Sequence, residues 1–153
     1  MQLISESFPN NGKIPSRHTC DGDEVSTPLA WSKIPAGTQS LALIMDDPDI
    51  PQFAKEKYGI AEFDHWVVFN IPPAVSGVSE GGEPQGIPGK NSRGTTGYLG
   101  PCPPDREHRY VYYLYALDVE LPLGEGSTKA EVMAAMQGHI LEQTTLTGLY
   151  RRQ

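Results

Sequence analysis

Residues 108–121, HRYVYYLYALDVEL, leave the chain less freedom than any other stretch. β-Branched and aromatic side chains fill the segment, and such residues fit a pleated, half-buried surface. A period of two then places His108, Tyr110 and Tyr112 on one face and turns Arg109 to the other. A strand of this length needs neighbours, and two further runs supply them. SLALIMDDPDIP (40–51) is an apolar run closed by Asp and Pro, the pattern of a buried strand ending in a turn. DHWVVFNIPP (64–73) repeats it, with His65, Val67 and Phe69 on one face and Trp66, Val68 and Asn70 on the other. The 16 glycines and 14 prolines of the 153 residues favour many turns and short elements over long helices.

The remaining segments complete a mainly β, α+β reading. STKAEVMAAMQGHILEQ (127–143) is predicted as the one clear helix, with Thr128 as N-cap and Glu131 closing a capping box. Val132, Met136 and Ile140 form its core stripe, and His139 is expected at the surface. TGLYRR is expected to be a last short strand. SGVSEGGEPQGIPGKNSRGTTGYLG (76–100) follows neither period and is expected to be an extended loop, the kind of segment that often carries function. No repeat or composition shift divides the chain, so residues 1–153 are expected to form a single domain.

A formal charge of −7 argues against nucleic acid and anionic membranes as bulk electrostatic partners. No basic start precedes an apolar stretch and no 18 apolar residues run together, so a cytoplasmic protein without stable membrane insertion is expected. Cys20 and Cys102 match neither a CxxC motif nor a zinc set. In a reducing compartment they are expected to be buried thiols, bonded only if the fold brings them together.

Chemistry gathers in three places. In DDPDIP, Pro48 and Pro51 fix the backbone and hold the carboxylates of Asp47 and Asp49 in a low-entropy turn, which is equally what an Asx cap of that turn would need. His65 opens one strand. His108 opens another, with Tyr110 two positions on, so that the pair can present donors from one side of a sheet. Residues 90–109 carry Lys90, Arg93, Arg106 and Arg109 against Asp105 and Glu107, a local excess of positive charge in an acidic chain.

Two carboxylates and two histidines also fit a metal site, but their spacing lacks any recognised ligand motif, and no metal or cofactor is expected. A Cys102–His108 hydrolase lacks both G-x-S-x-G and a helix N-terminus to lower the thiol pKa. The glycines near Lys90 match neither phosphate-cradling loop.

The ordered series Asp47-Pro48-Asp49-Ile50-Pro51, HWVVFNIP from His65, GYLGPCPP and HRYVYYLYALD resembles the phosphatidylethanolamine-binding protein family. The similarity is greatest to its bacterial and archaeal Raf-kinase-inhibitor-like (YbhB/YbcL-type) branch and covers nearly the whole chain. Ile50 departs from the commoner alanine, and QFAKEKYGIAEF after Asp49 makes a longer loop than that branch implies. The resemblance implies an antiparallel β-sandwich of two sheets with a C-terminal helix and long surface loops. It also implies a non-enzymatic binding protein that regulates or inhibits a kinase or serine protease, with a homodimer as one assembly this branch admits.

Carried over position by position, the resemblance implies a pocket for phosphate or a phosphorylated headgroup formed by Asp47, Asp49, His65, His108 and Tyr110. Pro51 shapes one wall, and Gly100, Pro101, Pro103 and Pro104 shape another. Histidine loses its charge above about 6.5 and a phosphoryl group becomes dianionic above about 6, so binding is expected to peak at neutral or slightly acid pH.

Overall fold

A computed structural model describes residues 1–152. In chain order the strands are β1 (Gln2–Ile4), β2 (Gly12–Lys13), β3 (Leu29–Ser32), β4 (Ser40–Asp47), β5 (Phe63–Ile71), β6 (Gly77–Val78), β7 (Ile87–Pro88), β8 (His108–Leu117) and β9 (Ile140–Tyr150). Helices α1 (Gln52–Tyr58) and α2 (Lys129–Met136) and a 3₁₀ turn at Ser16–His18 complete the elements. The six-stranded sheet runs β2-β9-β8-β4-β5-β7 and the three-stranded sheet β1-β3-β6. Every pairing is antiparallel except β2 with β9.

The aromatic run, as β8, lies at the middle of the larger sheet between β4 and β9, and all eight residues of β4 are buried. Alternation then makes two cores. Leu41, Leu43, Met45, Tyr112 and Leu114 meet Leu3, Leu29 and Trp31 of the smaller sheet. On the opposite face Ala42, Ile44, Val67 and Phe69 pack under Val132 and Met136 of α2. Pro88 occupies the edge strand β7, where no further strand asks for an N–H.

Two irregularities in β5 correct its expected alternation. Leu41 pairs with Ile71 but Leu43 with Val68, and the extra stretch holds Asn70 at φ 53°, a left-handed conformation that Asn tolerates better than most residues. Its amide closes the bulge through Leu121, accepting from the N–H at 2.8 Å and donating to the carbonyl at 2.9 Å. Met45 pairs with Trp66 but Asp46 with Asp64, which leaves His65 as the extra residue. The bulge takes His65 away from Val67 and Phe69 and sets its ring edge-on to Tyr110, at 5.2 Å between centroids.

The expected helix over 127–143 is also too long. Its capping box is present, with Thr128 and Glu131 reciprocally bonded, but α2 ends at Met136 and Gly138 turns the chain at φ 79°. Ile140, assigned by periodicity to the helix stripe, instead begins β9, which pairs along the whole of β8. The last strand is therefore eleven residues long, and the tertiary ladder overrides the helical propensity of HILEQ.

Two further expectations are overturned. The loop after Asp49 contains α1, which starts after Pro51 and stops at Gly59 in the left-handed conformation, φ 65°. Cys20 and Cys102 form a disulfide and are not free thiols. The N–H of Cys20 donates to the carbonyl of Pro101 at 3.2 Å, which lays the two segments side by side and brings the Cα atoms to 5.5 Å.

Candidate functional site

β4 and β8 are neighbours, and their register runs to Asp46 opposite Val111. The next positions carry Asp47, Tyr110 and His108 on the face that also holds Met45 and Tyr112. His108 is fully buried and spans two carboxylates, Nδ1 at 2.7 Å from Asp47 Oδ2 and Nε2 at 2.7 Å from Asp105 Oδ1. Each contact needs a hydrogen, so the Asp47–His108–Asp105 chain contains two bridging protons. The other oxygen of Asp47 accepts the N–H of Asp49 at 2.8 Å, the Asx contact expected of the turn. Burial pushes the Asp47 carboxyl up, while the hydrogen bond from His108 pulls against it.

Asp49 faces outward to Arg109. Its carboxylate accepts from Nε, Nη2 and the backbone N–H of Arg109, each at 2.9 Å. These charge-assisted bonds hold the Asp49 carboxyl down at about 2. Asp49 therefore fastens the DPDIP turn to the start of β8, and Arg106 adds a bond to its carbonyl at 3.2 Å.

Beside this lock lies a cavity of about 770 Å³. Of the ten residues proposed from the sequence, Asp47, Pro51, His65, Gly100, Pro104 and Tyr110 line it. Asp49, His108, Pro101 and Pro103 do not: the first two are committed to Arg109 and to the carboxylate pair, and Pro103 lines a separate surface hollow with Arg106 and Arg152. Gly100 is there because nothing larger fits; a Cβ would come within 2.8 Å of the Glu24 side chain and 2.9 Å of the His18 carbonyl.

The two aromatic members of the set have unfinished hydrogen bonding. Tyr110 is 0% exposed and its hydroxyl makes no well-formed hydrogen bond among the described residues, although Asp47 and the Cys102 backbone lie near it. Burial, followed by the nearby Asp47 charge, pushes the phenol well above its ordinary range, so it keeps its hydrogen. His65 Nδ1 lies 2.8 Å from the carbonyl of Leu99, whereas no group in the described residues bonds to Nε2. Nε2 is not fully enclosed and lies on the side of the ring that lines the cavity. Burial draws the ring pKa down to about 4, with Arg93 opposing protonation further.

Sequence reading missed the outer wall. Phe53, Ala54 and Tyr58 of α1 line it with Ile50, Ile60 and Phe63, and Lys90, Asn91, Ser92 and Arg93 close the other side. Phe53 and Tyr58 are among the most exposed large apolar residues described, at 66% and 62%. The only signal for them was the long segment after Asp49. Of the four cations noted in residues 90–109, Lys90 and Arg93 reach the cavity, Arg109 is neutralised by Asp49 and Arg106 lies outside.

A second carboxylate group, Asp46, Glu62 and Asp64, of which Asp64 also lines the cavity, surrounds the ammonium of Lys129, at 2.9 Å from Asp46 and 2.9 Å from Asp64 and in close contact with Glu62. One ammonium cannot offset three carboxylates, and burial pushes Asp46, the most enclosed, upward. Cys102, bonded to Cys20, has no thiolate to offer, which removes the Cys/His hydrolase reading.

Two packed sheets, with a site where β4, β5 and β8 end, define the class of β-sandwich to which the molecule belongs. Residues 4–151 match the family model of phosphatidylethanolamine-binding proteins, and the chain belongs to that family. It is 48% identical over 158 residues to a UPF0098 protein of Methanothermobacter thermautotrophicus, covering 99% of each chain. The fold superposes on a phosphatidylethanolamine-binding protein homolog from Chlamydia trachomatis with a TM-score of 0.94, 41% identity and coverage of 99% and 97%. Escherichia coli YbcL, described as a member of the mammalian phosphatidylethanolamine-binding protein family, gives a TM-score of 0.86 at 28% identity, with 99% and 98% covered.

Proposed function

We propose that the cavity is a receptor site for phosphate or a phosphorylated small molecule, with no chemistry performed on the ligand. The observation that supports this most is the buried Tyr110 hydroxyl, left without a hydrogen bond in the wall of a cavity that Lys90, Asn91, Ser92 and Arg93 also line. A buried hydroxyl without a hydrogen bond costs about 1–3 kcal/mol, and such a cost persists where a ligand repays it. The hydroxyl is fully enclosed in the ligand-free protein, so a phosphoryl oxygen would accept from it after a small side-chain shift that uncovers it, with Lys90 and Arg93 supplying positive charge at the mouth.

The Asp47–His108–Asp105 chain plays a positioning part in this reading. It fixes the lower wall, because every hydrogen-bonding atom of His108 is already engaged. Asp47 lines the cavity as an acceptor, suited to an ammonium or hydroxyl attached to the phosphoryl group. A regulatory role toward a kinase or serine protease rests on the family resemblance and belongs to the same proposal.

Calorimetric titration with inorganic phosphate and with phosphorylethanolamine is the test. Saturable binding that Tyr110→Phe weakens supports the reading; no binding of either, or affinity unchanged in Tyr110→Phe, refutes it. Asp47→Asn is expected to weaken phosphorylethanolamine more than phosphate.

A further inference from the structure

The tautomer of His65 constrains what kind of anion the cavity can hold. The Leu99 carbonyl can only accept, so the hydrogen of the neutral ring resides on Nδ1 and Nε2 is left with a lone pair. That lone pair opens on the cavity. Of the carboxylates in the wall, Asp47 already accepts from the Asp49 N–H at one oxygen and meets His108 at the other, and Asp64 is paired with Lys129. A dianionic phosphate has acceptors alone, so against His65 it would set lone pair against lone pair.

The charged and titratable groups around the ring settle where relief can come from. From β4 it meets Asp47, from β8 Tyr110 and His108, and from the 89–97 segment Arg93, with Lys90 further along the same wall. The neighbouring Asp64 is bound to Lys129. No carboxylate forms an ion pair with the ring among the described residues, so an incoming anion would be the first negative group in hydrogen-bond contact with Nε2.

We infer that the site, if it is the phosphoryl receptor proposed above, captures its anion together with a proton, so that the complex contains a hydrogen shared between the ligand oxygen and His65 Nε2. No covalent bond changes. A monoanionic phosphate brings the hydrogen as P–OH and donates it to Nε2, whereas a dianion acquires it from solvent as it binds. The preferred ligand class is thus a phosphate or phosphate monoester in its protonated form, and an anion lacking that proton, such as sulfate, is discriminated against at neutral and alkaline pH. The expected pH profile also changes. Instead of a maximum near neutrality set by a charged histidine, affinity for a phosphate monoester is level between about pH 4.5 and 6 and declines about tenfold for each pH unit from 7 to 9, because such an ester loses its second proton near 6; for inorganic phosphate, with a second pKa about one unit higher, the decline begins correspondingly later.

Calorimetry of inorganic phosphate at pH 8, in two buffers of different ionisation enthalpy, counts the protons directly. Uptake of one proton per phosphate bound, with sulfate at least about tenfold weaker, is the expected result. Binding with no proton uptake overturns the inference while leaving the receptor intact, and no saturable binding even at pH 5.5 overturns both. His65→Gln assigns the proton: it retains phosphate binding through its amide N–H and loses the uptake. Uptake that persists in His65→Gln puts the proton on Asp47 and refutes the assignment to His65; the wild-type count does not depend on the variant.

Discussion

Tyr110→Phe is expected to make the protein more stable and less able to bind phosphate. The ring keeps its packing, including the edge contact with His65 at 5.2 Å and the stack on His108 at 6.5 Å. What disappears is a hydroxyl that is buried and without a partner. Leaving such a group unsatisfied costs about 1–3 kcal/mol, so its removal should return a gain of that order. For a domain of this size each kcal/mol moves Tm by about 2–4 °C. The same hydroxyl, donating to a charged oxygen in the complex, is worth about 1.5–3 kcal/mol, or roughly 10- to 150-fold in Kd. Tyr112→Phe supplies the opposite sign. Its hydroxyl accepts from Thr27 Oγ1 at 3.2 Å in the core, and losing that bond should cost about 0.5–1.5 kcal/mol. Thermal unfolding of the ligand-free proteins, followed by phosphate titration, reads both effects. A Tyr110→Phe protein that melts below wild type, or that binds phosphate equally well, would refute the reasoning.

Three further outcomes follow from the same geometry. Reducing the Cys20–Cys102 disulfide, which joins residues 82 apart, should lower stability by about 2–5 kcal/mol in denaturant titration and shift the amides of the 99–104 wall; an unchanged midpoint contradicts its structural role. Lys129→Met strands Asp46, Glu62 and Asp64 and should destabilise by about 3–5 kcal/mol near pH 8. The loss should shrink toward pH 5, because the buried Asp46 carboxyl, raised to about 7, favours the folded state below that value and loses this advantage as pH rises. Asp49 behaves in the reverse sense: held at about 2 by Arg109, it contributes stability above its ordinary pKa that is lost as pH falls toward 2. Carboxyl NMR titration should show its midpoint return upward in Arg109→Gln.

The strands were legible because their patterns are self-consistent. HRYVYYLYALDVEL, SLALIMDDPDIP and DHWVVFNIPP alternate or run apolar in ways that few other structures accommodate, and all three became adjacent strands of one sheet. The bulge at His65 was not legible, since a slip of one residue depends on the partner strand and leaves no mark on composition. It matters more than any other irregularity, for it turns His65 from the α2 face toward Tyr110. β9 was misread for a related reason: HILEQ has helical propensity, and only the long ladder with β8 outweighs it. In the site, residue types were readable but their commitments were not. His108 and Asp49 look in sequence like ligand groups, yet each finds protein partners that only the fold brings near, Asp105 with Asp47 and Arg109 respectively. Phe53, Tyr58 and Arg93 lie in segments with no motif, and their arrival at the cavity is purely a matter of chain path.

The claim that the cavity receives a phosphoryl anion is tested most directly by NMR titration of isotope-labelled protein with inorganic phosphate at pH 6, observing the histidine rings and backbone amides. Saturable shifts of the His65 ring and of amides at Leu99, Gly100 and Arg93 are predicted, with His139, exposed and paired with Asp118, unmoved. Shifts confined to His139 and other surface groups, or none at His65 at saturating phosphate, would contradict the account.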